Sequence, residues 1–146
     1  MRSGGRATAE FQGDAWHIPG GMDGRTKNKL PHVVPLTPLA RELFGPGFNF
    51  YPTTLSHRFR DIVRALDMAD IRLHDLRHCC ATGMASLGIP REIRERVQNQ
   101  VTGRRQSIGA RYDQHEYLTE KSRAVRLWQL RLMEIVRGRK PRGLKW

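Results

Sequence analysis

The sequence has few cysteines and no long apolar run, and each shortage argues against a class of protein. Of its 146 residues only Cys79 and Cys80 are cysteine, and neighbours on a helix point about 100° apart. This geometry disfavours a disulfide between them, so the pair fits an intracellular protein without a disulfide scaffold. No apolar run approaches the roughly 20 residues of a membrane-spanning helix, and the N-terminus lacks the apolar core of a signal peptide.

Basic residues far outnumber acidic ones. There are 26 Lys and Arg against 14 Asp and Glu, which gives a net charge of +12. Because each neutralised phosphate releases counterions, this charge favours a nucleic acid as the partner, with a merely solvated basic surface as the alternative. Residues 91–146 account for +9 of the +12. The basic tail, residues 138–146, is either an arm that contacts DNA or a disordered, solubilising end.

Hydrophobic residues make up 38% of the chain, which is enough for one domain with a core. The Gly-rich residues 1–14 lack periodicity and are expected to be loose. Residues 15–19 and 31–36 predict the two strands of a hairpin whose tip lies at 25–29. We therefore expect one domain over residues 15–137, of the α+β class but mainly α, with a small N-terminal β-hairpin followed by about six helices.

Helical spacing of apolar residues begins after Thr37, which is expected to cap a helix with Pro38 in its first position. Gly88 is expected to end a later helix. The helices are predicted over residues 38–44, 53–66, 73–87, 90–99, 107–115 and 120–137. The apolar stripe of the third consists of Leu73, Leu76, Cys80, Met84 and Leu87.

A dense group of polar side chains lies at the start of that third helix, in Leu73-His74-Asp75-Leu76-Arg77-His78. His74 and Arg77 share one flank at the edge of the core, where both could donate hydrogen bonds to one phosphate. An ordinary surface pair is the alternative. His74 and His78 also match a zinc-binding spacing, but Asp75 is one methylene shorter than the usual glutamate base. Arg77 would also place a cation beside the metal, so we expect no metal site.

A tyrosine in a basic segment is the next feature. Tyr112 follows Arg111 and comes after Arg104 and Arg105 in the sequence. A tyrosine nucleophile needs nearby cations because its free pKa is about 10. More often, a tyrosine is half-buried packing with a satisfied hydroxyl group.

The order of these features along the chain is more informative than any one of them. A lysine in Thr26-Lys27-Asn28-Lys29, at the hairpin tip, precedes His74-x-x-Arg77, and Tyr112 follows. This order resembles the catalytic domain of tyrosine recombinases, the phage integrases, in the branch found in prophages and genomic islands. The similar stretches are RTKNKLPHVVPL (25–36), LHDLRHCCATGMASLGIP (73–90), RERVQNQVTG (94–103) and IGARYDQHEYLTEKSRAVRLW (108–128).

The resemblance implies an enzyme that breaks and rejoins duplex DNA through a 3′-phosphotyrosyl intermediate, without a metal or cofactor. It implies that Tyr112 is the nucleophile, that Arg77 and His74 stabilise charge on the phosphate, and that Lys27 protonates the leaving 5′-oxygen. Lys29 is a less favoured substitute for Lys27. The DNA-contacting cations are expected to be Arg25, Lys29, Arg104, Arg105 and Arg111.

The implied partners are attachment-site DNA and further copies of the chain on that DNA, with no membrane and no small-molecule substrate. The implied location is the bacterial cytoplasm, in association with the nucleoid. The last predicted helix, 120–137, packs through Trp128 either on a neighbouring copy or within its own domain.

Two departures from the family pattern predict impaired activity for this chain alone. The family's first arginine, in a Gly-x-Arg-x-x-Glu segment, is expected upstream of Met1, and Arg6 is one residue out of register for that role. Gln100 occupies the family's histidine position in the catalytic set, and an amide cannot bear charge. The alternative is a non-catalytic DNA-binding module or integrase remnant, with the helices over 53–66 and 73–87 as a helix-turn-helix pair.

Overall fold

The computed structural model describes residues 10–21, 26, 29–44, 52–68, 71–100, 117–139, 143, 145 and 146. Within these ranges the strands are β1 (Phe11–Gln12), β2 (Ala15–Ile18) and β3 (His32–Pro35). The helices are α1 (Pro38–Phe44), α2 (Pro52–Ala65), α3 (Asp75–Ser86), α4 (Arg91–Val97) and α5 (Leu118–Val136). The expected class, α+β but mainly α, is confirmed in this coarse form.

The sheet contains the expected hairpin and one further strand. Its order is β1-β2-β3, all antiparallel, and Trp16 in β2 pairs with Val34 in β3. Phe11 in β1 pairs with Trp16 on the other side, and the two rings stack with their centroids 6.0 Å apart. Residues 11 and 12 therefore differ from the loose segment expected over 1–14, because aromatic packing on Trp16 holds them in the sheet.

Local sequence signals predict the starts of α1, α2 and α3 to within two residues. Thr37 Oγ1 accepts a hydrogen bond from the Ala40 amide at 3.2 Å, which confirms the expected cap of α1. α2 begins at Pro52, one residue earlier than expected, since proline is well tolerated in a first turn. α3 begins at Asp75, two residues later than expected. The helix expected over 107–115 lies outside the described residues.

The core lies where α3, α4 and α5 meet. Its buried side chains are Met84, Leu87, Ile89, Ile93 and Ala124. Gly83 lets α5 approach α3 closely, because a Cβ at this position would lie 2.0 Å from a ring carbon of Trp128. Trp128 therefore packs within its own domain. The expected stripe of α3 is correct at its C-terminal end and wrong at Leu76, which is 50% exposed.

α2 contributes little to that core. Its apolar residues Leu55, Ile62 and Leu66 lie at helical spacing and would form one apolar face, yet all three are exposed, and Val63 is buried. In the part of the chain that the structure describes, α3 makes its main helix contacts with α4 and α5. This packing gives no support to a helix-turn-helix pair of α2 and α3.

The end of the basic tail lies on the domain. The Trp146 amide donates to the Leu87 carbonyl at 2.9 Å, and the Trp146 ring packs against the core. The guanidinium of Arg123 in α5 lies 4.7 Å from the centroid of that ring. Trp146 thus departs from the disordered end that composition allowed. Among the helices described, none is long and apolar enough to cross a membrane.

Candidate functional site

Arg77 lies in the first turn of α3, and its side chain reaches the C-terminal end of α4. Its Nη2 donates a hydrogen bond to the Gln98 backbone carbonyl, and Gln98 Nε2 donates to the Arg77 carbonyl at 2.8 Å. Carbonyls at a helix C-terminus lack helical donors and bear partial negative charge, so they attract a guanidinium. Arg77 is half-buried, and no carboxylate of the described ranges forms an ion pair with it.

His74 lies on the same turn. It is the N-cap residue of α3, and its carbonyl accepts the Arg77 amide at 3.0 Å. Its exposed ring meets the ring of His78 edge to face, with the centroids 5.0 Å apart. Nowhere in the described ranges do three His, Cys, Asp or Glu side chains gather closely enough for a metal ion, so the zinc hypothesis gains no support.

Gln100, which the resemblance predicts at the recombinase histidine position, lies just beyond α4. Asn99 adopts a left-handed conformation with φ 53°, and the Gln100 amide then donates back to the Glu95 carbonyl at 2.7 Å. The Gln100 side chain is exposed. The amide side chain that contacts Arg77 belongs instead to Gln98, which sequence reasoning missed. No local pattern could have identified it, because the two partners are 21 residues apart.

The side chain of His32, in β3, also contacts a backbone carbonyl at the C-terminal end of α4. Its Nε2 lies 3.3 Å from the Val97 carbonyl, and because a carbonyl only accepts, Nε2 must bear the proton. The pKa of His32 is lowered to about 4, mainly by burial and also by the positive charges of Lys121 and Arg77, against the opposing effect of the Val97 hydrogen bond. His32 is therefore neutral at pH 7.

Lys121 in α5 is a buried cation close to His32. Lys121 is only 5% exposed, and its Nζ donates a hydrogen bond to the Val33 carbonyl of β3. The pKa of Lys121 is lowered to about 8, mainly by burial and also by the positive charge of Arg96. The polar side chains around the α4 terminus are thus mainly basic, and they are held by backbone carbonyls.

Arg96, in α4, is a basic residue near the α4 terminus that forms an ion pair with a carboxylate. It pairs with Glu92 at 3.2 Å, and its guanidinium carbon lies 3.7 Å from the ring centroid of Tyr117. Tyr117, which immediately precedes α5, packs against the core. Tyr117 therefore lies beside α4.

The hairpin tip is built around two described residues. Thr26 Oγ1 donates to the Leu30 carbonyl at 2.6 Å, and Lys29 is exposed with φ 58°. Gly20 passes so close to the returning chain that a Cβ would lie 2.3 Å from the Pro31 nitrogen, so glycine is needed there. The other expected site residues lie outside the described ranges; they are Arg25, Lys27, Arg104, Arg105, Arg111 and Tyr112.

Comparison of the chain with protein-family models, with curated proteins and with solved structures finds no match in any of the three. A functional assignment therefore depends on the residues and contacts themselves. Of the expected catalytic set, the structure describes His74 and Arg77 on one turn of α3 and Gln100 beside the α4 terminus that holds Arg77.

Proposed function

We propose that this chain is the DNA-binding catalytic domain of a site-specific tyrosine recombinase of the phage integrase type, with the fold of that domain. The observation that supports this most directly is the state of Arg77. Its half-buried guanidinium is held by Gln98 and has no carboxylate partner among the described residues. Partial burial of a cation that none of these residues neutralises is costly, and an external anion such as a DNA phosphate would compensate that cost.

The donor inventory of Arg77 fits a phosphate. A guanidinium has five N–H donors, and among the described residues Arg77 uses only Nη2, on the Gln98 carbonyl. The remaining donors can bind two phosphate oxygens in the bidentate manner typical of arginine. His74, exposed on the same turn, can add a further hydrogen bond.

In the proposed reaction, Tyr112 Oη attacks the phosphorus, and the bond from phosphorus to the 5′-oxygen breaks. The tyrosine proton is released to solvent, Lys27 donates a proton to the leaving 5′-oxygen, and the DNA remains joined to the protein as a 3′-phosphotyrosine. Arg77 and His74 stabilise the negative charge that develops on the phosphate. Attack by a 5′-hydroxyl then rejoins a strand and releases Tyr112.

The overall charge supports duplex DNA as the substrate. The chain has a net charge of +12, and most of it belongs to residues 91–146, the region that contains α4, Tyr112 and α5. Such a charge brings DNA to the site through counterion release, so binding should weaken steeply as salt rises.

Gln100 lowers the expected rate. Replacing a charged donor to a transition state by a neutral one typically costs a factor of about 10²–10³. We therefore expect the chain alone to form little covalent adduct, even where it binds DNA well. A DNA-binding remnant without catalysis is the second candidate, and the exposed, uncharged Gln100 is the observation that favours it.

A nicked suicide duplex, which traps the covalent intermediate, tests the proposal on a denaturing gel. We expect a weak adduct that disappears in Tyr112→Phe and persists in the matched control Tyr117→Phe, which keeps the ring beside Arg96. An adduct that survives Tyr112→Phe would exclude Tyr112 as the nucleophile, and an efficient adduct would refute the expected impairment. Salt-sensitive duplex binding that is weakened by Arg77→Met, without any adduct, would support the second candidate. Absence of duplex binding would overturn both.

A further inference from the structure

We infer that Gln98 is a positioning residue that directs the Arg77 guanidinium toward the bound phosphate. This inference rests on the proposed function and adds a residue to the site that the motifs do not contain. Gln98 does not itself need to touch DNA, since its effect is exerted through Arg77.

The contact between the two residues is reciprocal. The side chain of Arg77 binds the main chain of Gln98, and the side chain of Gln98 binds the main chain of Arg77 at 2.8 Å. Two such bonds restrict both the position of the α3 turn and the rotamer of the arginine. An arginine on a helix surface otherwise samples many rotamers, and ordering it on binding weakens the affinity.

Stability alone does not explain an amide at position 98. The Arg77 carbonyl can only accept a hydrogen bond, so Nε2 must face it and Oε1 must face away. Oε1 is then buried and accepts no hydrogen bond from the described residues, while the amide also lies within hydrogen-bonding reach of the Cys80 thiol. The Arg77 carbonyl lies inside α3, where the helix already supplies a donor. An apolar side chain of similar size would avoid the orphaned oxygen, so the amide is better explained by its effect on Arg77.

Gln98 also connects Arg77 with Gln100, the other described residue of the candidate site near the α4 terminus. Its own amide donates to the Arg94 carbonyl at 3.1 Å, and Gln100 closes the same turn on Glu95 at 2.7 Å. The turn that holds Arg77 therefore also presents Gln100. A change in the Gln98 contact should disturb the arginine without removing any charge from the protein.

The test compares Gln98→Met with Arg77→Met and with the double variant, by fluorescence anisotropy of a labelled duplex over a series of salt concentrations. Gln98→Met keeps the backbone carbonyl that accepts from Arg77 Nη2 and removes only the bond that holds the α3 turn against α4. We expect binding to weaken about two- to tenfold, because without that bond the turn, and with it the guanidinium, must be ordered when DNA binds. The slope of log affinity against log salt should fall by about 1 in Arg77→Met and by less in Gln98→Met. In the Arg77→Met background, Gln98→Met should have no further effect on affinity.

Controls separate positioning from packing. Gln129→Met makes the same chemical change in α5 and should leave both affinity and salt slope unchanged. Gln98→Leu repeats the test with another apolar shape, and a result that differs from Gln98→Met would overturn the inference by indicating packing. The midpoint of urea unfolding, measured without DNA, reports any loss of stability in each variant. It is independent of the DNA contacts and of the salt slope.

The outcomes distinguish the inference from the function on which it rests. If Arg77→Met leaves duplex affinity unchanged, the proposed role of Arg77 in DNA binding fails. If Arg77→Met weakens binding and Gln98→Met does not, the function stands and the positioning role of Gln98 is wrong. If Gln98→Met weakens binding equally in the wild-type and Arg77→Met backgrounds, Gln98 acts independently of Arg77, and the inference is overturned.

Discussion

Replacing Gly83 with alanine tests how closely α5 packs against the helix that contains Arg77. A Cβ at position 83 would lie 2.0 and 2.2 Å from two ring carbons of Trp128. Carbon atoms pack best at about 3.5–4.0 Å, so a gap of this size requires the ring or the helix to move. The indole ring is rigid and lies between α3 and α5, and therefore we expect α5 to be displaced.

The magnitude follows from two opposing terms. Overpacking a core typically costs about 1–3 kcal/mol, and the severity of this overlap places Gly83→Ala at the upper end. Alanine in place of glycine inside a helix recovers about 1 kcal/mol. The free energy of unfolding should therefore fall by about 2 kcal/mol.

Urea unfolding followed by circular dichroism measures this loss, and Trp128→Leu supplies the matched background. Without the indole ring, Gly83→Ala should be neutral or stabilising by up to about 1 kcal/mol, because only the helix propensity remains. If Gly83→Ala is as stable as the wild type while Trp128 is present, then Trp128 does not pack on Gly83, and the close packing of α5 against α3 at this point is wrong.

The remaining predictions concern the two buried basic groups. The pKa of His32 is about 4 when folded and 6.5 ordinarily, so the unfolded chain takes up its proton first as the pH falls. The free energy of unfolding should therefore decrease from pH 6.5 to 4, by up to about 3 kcal/mol, and urea midpoints of His32→Gln should decrease less over that range. The pKa of Lys121 is about 8 when folded and 10.5 ordinarily, so stability should rise with pH between these values. Lys121→Met should lose this rise, and an unchanged slope would show that Lys121 is solvated.

Local signals were sufficient for the features that depend on neighbouring residues. The Thr37 cap of α1 depends on an amide three residues away, and the β2–β3 hairpin depends on two nearby β-branched and aromatic stretches. His74 and Arg77 occupy one turn because helical geometry places residues at this spacing together. For Leu76 and the α2 face the same periodicity was insufficient, since it marks an apolar side without showing what covers it.

The class of fold, the cap of α1 and the shared turn of His74 and Arg77 could be predicted from the sequence, because they follow from hydrogen bonds and spacings within a few residues. The atoms that hold His32, Arg77 and Lys121 could not be predicted in this way, because they come together only when distant elements pack. Gln98 meets Arg77 across 21 residues, His32 meets Val97 across 65, and Lys121 meets Val33 across 88. Such contacts depend on how three helices and a strand pack together. Each of these side chains binds a backbone carbonyl, and because every residue has one, the residue type of the partner gives no sign of the contact.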